Sequence, residues 1–231
     1  MSDFSSSKLF EDRMDRSIID RSDDLPARIY ILCMSVFITG GLVVSALVAS
    51  YTYNMKPTWL WFVGYLVIAI PGVMISVKSD NWLISLFGYA MVVVPSGAIL
   101  GPYVHLFTYA SVEKIALVTI VVSAAIGVAG ALYPKSVEHW GGFLFVALVI
   151  LVIGNFSQLL FPAFGMQPIV LAFWDWVGVV LFSGFIFYDM NRAMRMAYTL
   201  DNAVDNAVAL YLDIFNLFIR LLELFGNKSS D

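Results

Sequence analysis

The amino-acid sequence predicts an all-α polytopic membrane protein, with seven transmembrane helices and the C-terminal helix at the centre of the bundle. Three observations predict it. The 231 residues are 60% hydrophobic and only 13% charged, whereas soluble domains carry about 25% charged residues. The apolar residues gather into runs of about 20, the length that crosses a hydrocarbon core, and short connections make these runs one compact domain. The last run carries its polar residues on one face only, as a helix does when it turns that face toward a protein interior.

In order along the chain, Met1–Arg28 mixes Lys8, Arg13, Arg16, Arg21 and Arg28 with seven acids. It reads as a polar, mobile N-terminal tail without the features of a cleaved signal. Six clear spans follow: Ile29–Tyr53, Pro57–Val77, Trp82–Leu106, Lys114–Tyr133, Gly141–Phe161 and Pro168–Tyr188. Asp205–Phe225 is the seventh and the least apolar. Residues 29–226 are thus the transmembrane domain, and residues 227–231 a short C-terminal tail. Trp59, Trp61, Trp82, Trp140, Trp174 and Trp176 lie near span ends, where an indole prefers the membrane interface, and Asp175 reads as interfacial with its tryptophan neighbours. With the N-terminus in the cytoplasm, nine of the 13 Lys and Arg residues fall inside and four outside. The bias of basic residues therefore sets the N-terminus inside and the C-terminus outside.

Span three contains VVVPSGAILGPY. Its Gly97 and Gly101 form a GxxxG that lets another helix approach closely, and its Pro95 and Pro102 weaken helix. Close packing is the simpler reading, and a broken helix lining a cavity is the alternative.

The seventh span reads ALYLDIFNLFIRLLELFG from Ala209 to Gly226. At about 100° per residue, Asp205, Asn206, Asp213, Asn216, Arg220 and Glu223 share an arc of roughly 100°. A helix lying flat on a membrane normally carries a Lys/Arg-rich polar face. This face has three acids, two amides and one Arg, so the stripe is predicted to face the bundle interior and line a wet path. Ionisable groups inside a membrane normally face such a place.

Span six ends SGFIFYDMNRAMRM, with no Gly or Pro between Asp189 and Leu200, so the helix can run on past Asp189. A short linker makes spans six and seven neighbours, which can bring Asp189 and Asp213 together. Two carboxylates in a partly dry site cannot both ionise cheaply and would share a proton. Such a pair can serve as a proton-controlled gate or as a site of hard oxygen ligands for Ca²⁺. Alternatively each aspartate pairs with a local cation, Arg192 or Arg220. Lys78, at the cytoplasmic end of span two, is a further candidate to latch onto the pair; a snorkelling Lys at a span end is the plain alternative.

FYDMNR at Phe187–Arg192, followed by ALYLDIFNLFIRLLELFG, resembles the C-terminal signature of the Bax inhibitor-1 (TMBIM) family, and GAILGP resembles that family's third-helix motif. The resemblance runs through all seven spans in order, and its last forty or so residues are the specific part. It implies a seven-helix fold with a central last helix and a pH-sensitive Ca²⁺ leak gated by an aspartyl pair, here Asp189 and Asp213. It also implies a basic latch at the end of the second helix, where this chain has Lys78 rather than Arg. Some members carry a carboxylate inside span two, which Pro57–Val77 lacks. The resemblance to bacterial members implies a bacterial inner membrane. Some members are described as regulators of membrane proteases or cell-death proteins, so a non-conducting regulator is the alternative function.

Other classes have little support. No HExxH or GxSxG occurs, and His105 and His139 are isolated, so the sequence gives no basis for an enzyme. A retinal protein would need a mid-span lysine. Cys33 is the only cysteine, which excludes an intramolecular disulfide and a cysteine-rich metal site. No basic patch points to nucleic acid. The expected partners are the bilayer, Ca²⁺, protons and a membrane protein, with no required cofactor.

Overall fold

The structure is a computed structural model describing residues 24–56, 58–160 and 168–229. Seven helices run through the described residues: α1 (Ala27–Thr52), α2 (Trp59–Lys78), α3 (Trp82–Val104), α4 (Tyr109–Leu132), α5 (Trp140–Leu160), α6 (Pro168–Ala193) and α7 (Leu200–Phe225). They correspond one to one with the seven predicted spans. Among the described residues, five of them (α1, α2, α3, α4 and α6) are long and apolar enough to cross a membrane. α7 falls outside that group because of its charges. Residues 1–23 of the expected N-terminal tail lie outside the described residues; Ala27 and Arg28 belong to α1, and the Leu25 amide donates to the Tyr198 carbonyl at 2.7 Å.

Local chemistry sets the helix limits. Asn81 caps α3 by accepting from the Leu83 amide at 3.0 Å, and Thr199 caps α7 by accepting from the Asn202 amide at 3.1 Å. Each side chain satisfies a backbone donor that has no partner within the first helical turn. α3 continues through Pro95 and Pro102, so the broken-helix alternative does not hold. The packing reading does: a Cβ on Gly97 would lie 2.6 Å from the Ser45 carbonyl oxygen, and one on Gly101 would meet α1 at Ala49 and Thr52.

Much of the buried surface of α1 and α4 is made of small residues. α4 turns Ser111, Ile115, Thr119, Ser123 and Gly127 inward at every fourth position, and α1 turns Gly41, Ser45, Ala49 and Thr52 inward. Large apolar side chains point out instead, among them Leu47, Val121 and Phe143. Hydrocarbon solvates those side chains as well as a protein core does, so helices associate through small residues that bring backbones close.

The helices form two groups. α3 packs against α1 and α2, α6 packs against α4 and α5, and α7 lies between the groups in contact with α1, α2, α3, α4 and α6. Along α7 only Phe225 is exposed, so the C-terminal helix is central. Its far end is strapped: the Thr108 amide donates to the Asn227 carbonyl, the Asn227 amide to Ser111 Oγ, and the Ser229 amide to the Leu106 carbonyl, each at 2.9 Å.

Candidate functional site

α6 runs on past Asp189 to Ala193, and α7 begins at Leu200, five residues before the predicted start. By helix rise Asp213 stands about 20 Å from the start of α7, and Asp189 about 6 Å from the end of α6. α7 therefore begins well beyond the point where α6 stops, and the connecting turn returns the chain to its partner. The result brings the Asp189 and Asp213 side chains close enough to interact directly. Both are buried, at 8% and 7% exposure, and Asp213 Oδ2 meets no hydrogen-bond donor among the described residues. Two carboxylates this close can hydrogen bond to each other only where one of them carries a proton.

The other members of the stripe reach several helices. Asp205 accepts from Ser76 Oγ of α2 at 2.6 Å. Asn206 donates to Tyr30 Oη of α1 at 3.0 Å and to the Asn202 carbonyl at 2.7 Å. Asn216 donates to the Leu212 carbonyl of its own helix at 2.7 Å. Arg220 donates to Asp175 of α6 at 2.7 Å and to Asn155 of α5 at 3.1 Å. Glu223 accepts from Tyr103 Oη of α3 at 2.6 Å, with Lys228 3.8 Å away. Each polar group thus ties α7 to a neighbour or to itself.

The candidate latches fall differently. Arg192 is exposed and within electrostatic reach of both Asp189 and Asp205. Lys78 does not reach the pair. It is the exposed last residue of α2, beside Pro71, Ile75 and Ile84. Two residues along a helix is a turn of about 200°, so with Ser76 wholly buried against α7, Lys78 points away. Arg220 pairs with Asp175, not with Asp213.

The family model described as Inhibitor of apoptosis-promoting Bax1 matches residues 28–230. The chain belongs to the Bax inhibitor-1 family. A BI1-like protein of Arabidopsis thaliana is 36% identical over 90 residues, 39% of this chain and 34% of that protein. Protein LIFEGUARD 2 of the same plant is 30% identical over 118 residues, 48% of each chain. The inner membrane protein YbhL of Escherichia coli is 26% identical over 142 residues, 58% of this chain and 59% of YbhL. The matches thus span between about a third and three-fifths of the relatives' lengths.

Several residues that organise this Bax inhibitor-1 family site gave little signal in the sequence. Ser76 and Ser85 face the first turns of α7, with Ser85 Oγ 2.7 Å from Asp201 Oδ1. A serine in an apolar helix is too common to single out. Asp175 is not merely interfacial, since it neutralises Arg220; its position among tryptophans concealed a partner 45 residues away. Asn191, part of the motif at 187–192, has its amide nitrogen within 3.2 Å of the Gly130, Tyr133 and Lys135 carbonyls and accepts from the Val137 amide. It holds the end of α4 against α6, close to Asp189.

Proposed function

We propose that the protein is a pH-sensitive leak channel for Ca²⁺ or similar cations, with Asp189 and Asp213 as the gate. The contact between two buried carboxylates on neighbouring helices carries this reading. With a shared proton the pair joins α6 to α7. Loss of that proton leaves two like charges side by side in a poorly solvated site, which pushes the helices apart and exposes oxygen ligands suited to a hard cation. Among the described residues no three His, Cys, Asp or Glu gather as a ready-made metal site, so backbone carbonyls and water would complete a Ca²⁺ shell. Arg192 is the cation placed to bias the pair. Asp205, Asn206, Asn216, Arg220 and Glu223 continue the polar line along α7, and the bonds of all but Asn216 to other helices fit a closed path. Such a leak needs no cofactor and no catalytic group. The basic residues set the N-terminus in the cytoplasm and the C-terminus outside, and the likeness to YbhL supports a bacterial inner membrane.

The second reading is a non-conducting membrane regulator that binds a membrane protease or a cell-death-type protein. The cross-bonded stripe favours it, because its polar residues other than Asp213 have structural uses without any ion. Purified protein in liposomes separates the two. A Ca²⁺ leak whose rate changes between about pH 6 and 8, the range that buried carboxylates can reach, and whose pH response flattens in Asp213→Asn, supports the channel. No flux above empty liposomes at any pH sinks it in favour of the regulator.

A further inference from the structure

α1 and α4 each pack on α7, but they are not packed on one another. Between them lies a groove of about 850 Å³. Ala46 of α1 and Ala116 of α4 form its narrow walls, and Ile214, Phe215 and Phe218 of α7 form its floor. The groove follows α1 from Thr39 to Asn54. It opens onto side chains that face the membrane, including Leu47, Leu117 and Val121, which are 64%, 59% and 67% exposed. It is therefore continuous with the hydrocarbon-facing surface of the bundle and reaches inward to the central helix.

We infer that this groove is a binding site for one acyl chain of a bilayer phospholipid. Three observations select that occupant. The lining is overwhelmingly apolar, and no water is available at this depth to fill it, so a vacant groove would deprive its lining of contacts. Of the polar lining residues, Thr39 lies at one end, Ser45 and Thr119 lie part-way along with their hydroxyls bonded to backbone carbonyls, and Ser50, Asn54 and Tyr109 lie where α1 ends and α4 begins. A headgroup at that last level leaves the chain to run inward along the floor. Over the roughly 22 Å that 15 residues of α1 span, the groove volume gives a cross-section of roughly 40 Å². An alkyl chain is about 4–5 Å wide by carbon contact distances and fits. The lipid then touches α7 at Ile214, the residue next to Asp213.

The test uses the full chain in phosphatidylcholine nanodiscs doped with phosphatidylcholine carrying a photoactivatable diazirine on one acyl chain, with adducts located by mass spectrometry. Adducts are expected at Ile214, Phe215 or Phe218, besides those on the bilayer-facing Phe143 and Phe145 of α5. Ala46→Trp and Ala116→Trp, which fill the groove from either wall, should each cut the α7 adducts at least five-fold and leave the α5 adducts unchanged. An unlabelled α7 in a wild-type sample whose α5 is labelled overturns the site. So does α7 labelling that survives in both variants. If neither variant yields a monodisperse protein, the wild-type ratio of α7 to α5 adducts decides. The readout is labelling, so it stands or falls separately from the Ca²⁺ leak.

Discussion

Gly88→Ala should destabilise the protein although alanine is the better helix former. Gly88 of α3 and Gly72 of α2 face one another where the two helices cross. A Cβ on Gly88 would lie 2.5 Å from the Gly72 carbonyl oxygen and 2.7 Å from the Ser76 amide nitrogen, and a Cβ on Gly72 would lie 2.7 Å from the Gly88 carbonyl oxygen. These contacts are with backbone, which cannot turn aside as a flexible side chain does, so α2 must move away by roughly 0.5–1 Å. Overpacking of this kind costs about 1–3 kcal/mol. Replacing glycine by alanine within a helix returns about 1 kcal/mol. The net expectation is a loss of up to about 2 kcal/mol. Gly64 of α2 supplies the control, since nothing lies within 4 Å of a Cβ placed there; Gly64→Ala should gain a few tenths to about 1 kcal/mol from helix propensity. The opposite signs make the comparison decisive. Thermal unfolding of wild type and both variants in one detergent measures it. If Gly88→Ala unfolds at or above the wild-type temperature, the close α2–α3 crossing is wrong. The shift would also loosen the Ser76–Asp205 bond, since Ser76 rides on α2.

Protons and Ca²⁺ should compete for the aspartyl pair, because a carboxylate must lose its proton to bind a metal. The Ca²⁺ concentration giving half-maximal leak should therefore fall as pH rises in the wild type and stay constant in Asp189→Asn; a wild-type value independent of pH would refute the gate. Arg220 and Asp175 have side chains only 17% and 14% exposed, so Arg220→Leu or Asp175→Leu alone should cost about 3 kcal/mol by leaving a charge without its partner. The double variant should cost less than the sum of the two, as a double-mutant cycle of unfolding would show, and strict additivity would count against the pair. Asn191→Leu removes a 1% exposed side chain that serves several backbone groups and should cost about 1–3 kcal/mol for the partners left unsatisfied. Hydrogen exchange at 133–139 should accelerate most, and uniform exchange across the chain would argue against a local anchor.

Much of the fold was legible in the sequence because hydrocarbon imposes a simple rule. A span needs about 20 apolar residues, so α1 to α6 are visible as runs. The polar stripe of α7 marks it as an interior helix, since lipid cannot face so many charges. The same stripe, with the uninterrupted end of span six, made the meeting of Asp189 and Asp213 foreseeable, because a short linker leaves the two helices side by side. The rest depended on pairings between residues far apart in the chain. That Lys78 turns away while Ser76 turns in follows from the rotation of α2 against α7, which an apolar helix without a polar face does not reveal. The pairing of Arg220 with Asp175 rather than with Asp213 depends on the relative heights of α6 and α7. Those heights come from how far α7 extends beyond the end of α6. The groove between α1 and α4 has no sequence signal at all: it exists because small residues packed each helix onto α7, and nothing was left to join them to one another. The sequence by itself determined which residues are too polar for lipid, since that is a property of each side chain and its helical phase. Only the tertiary structure decided which of them meet, since that depends on the height and rotation of helices whose contacts are mostly small and chemically alike.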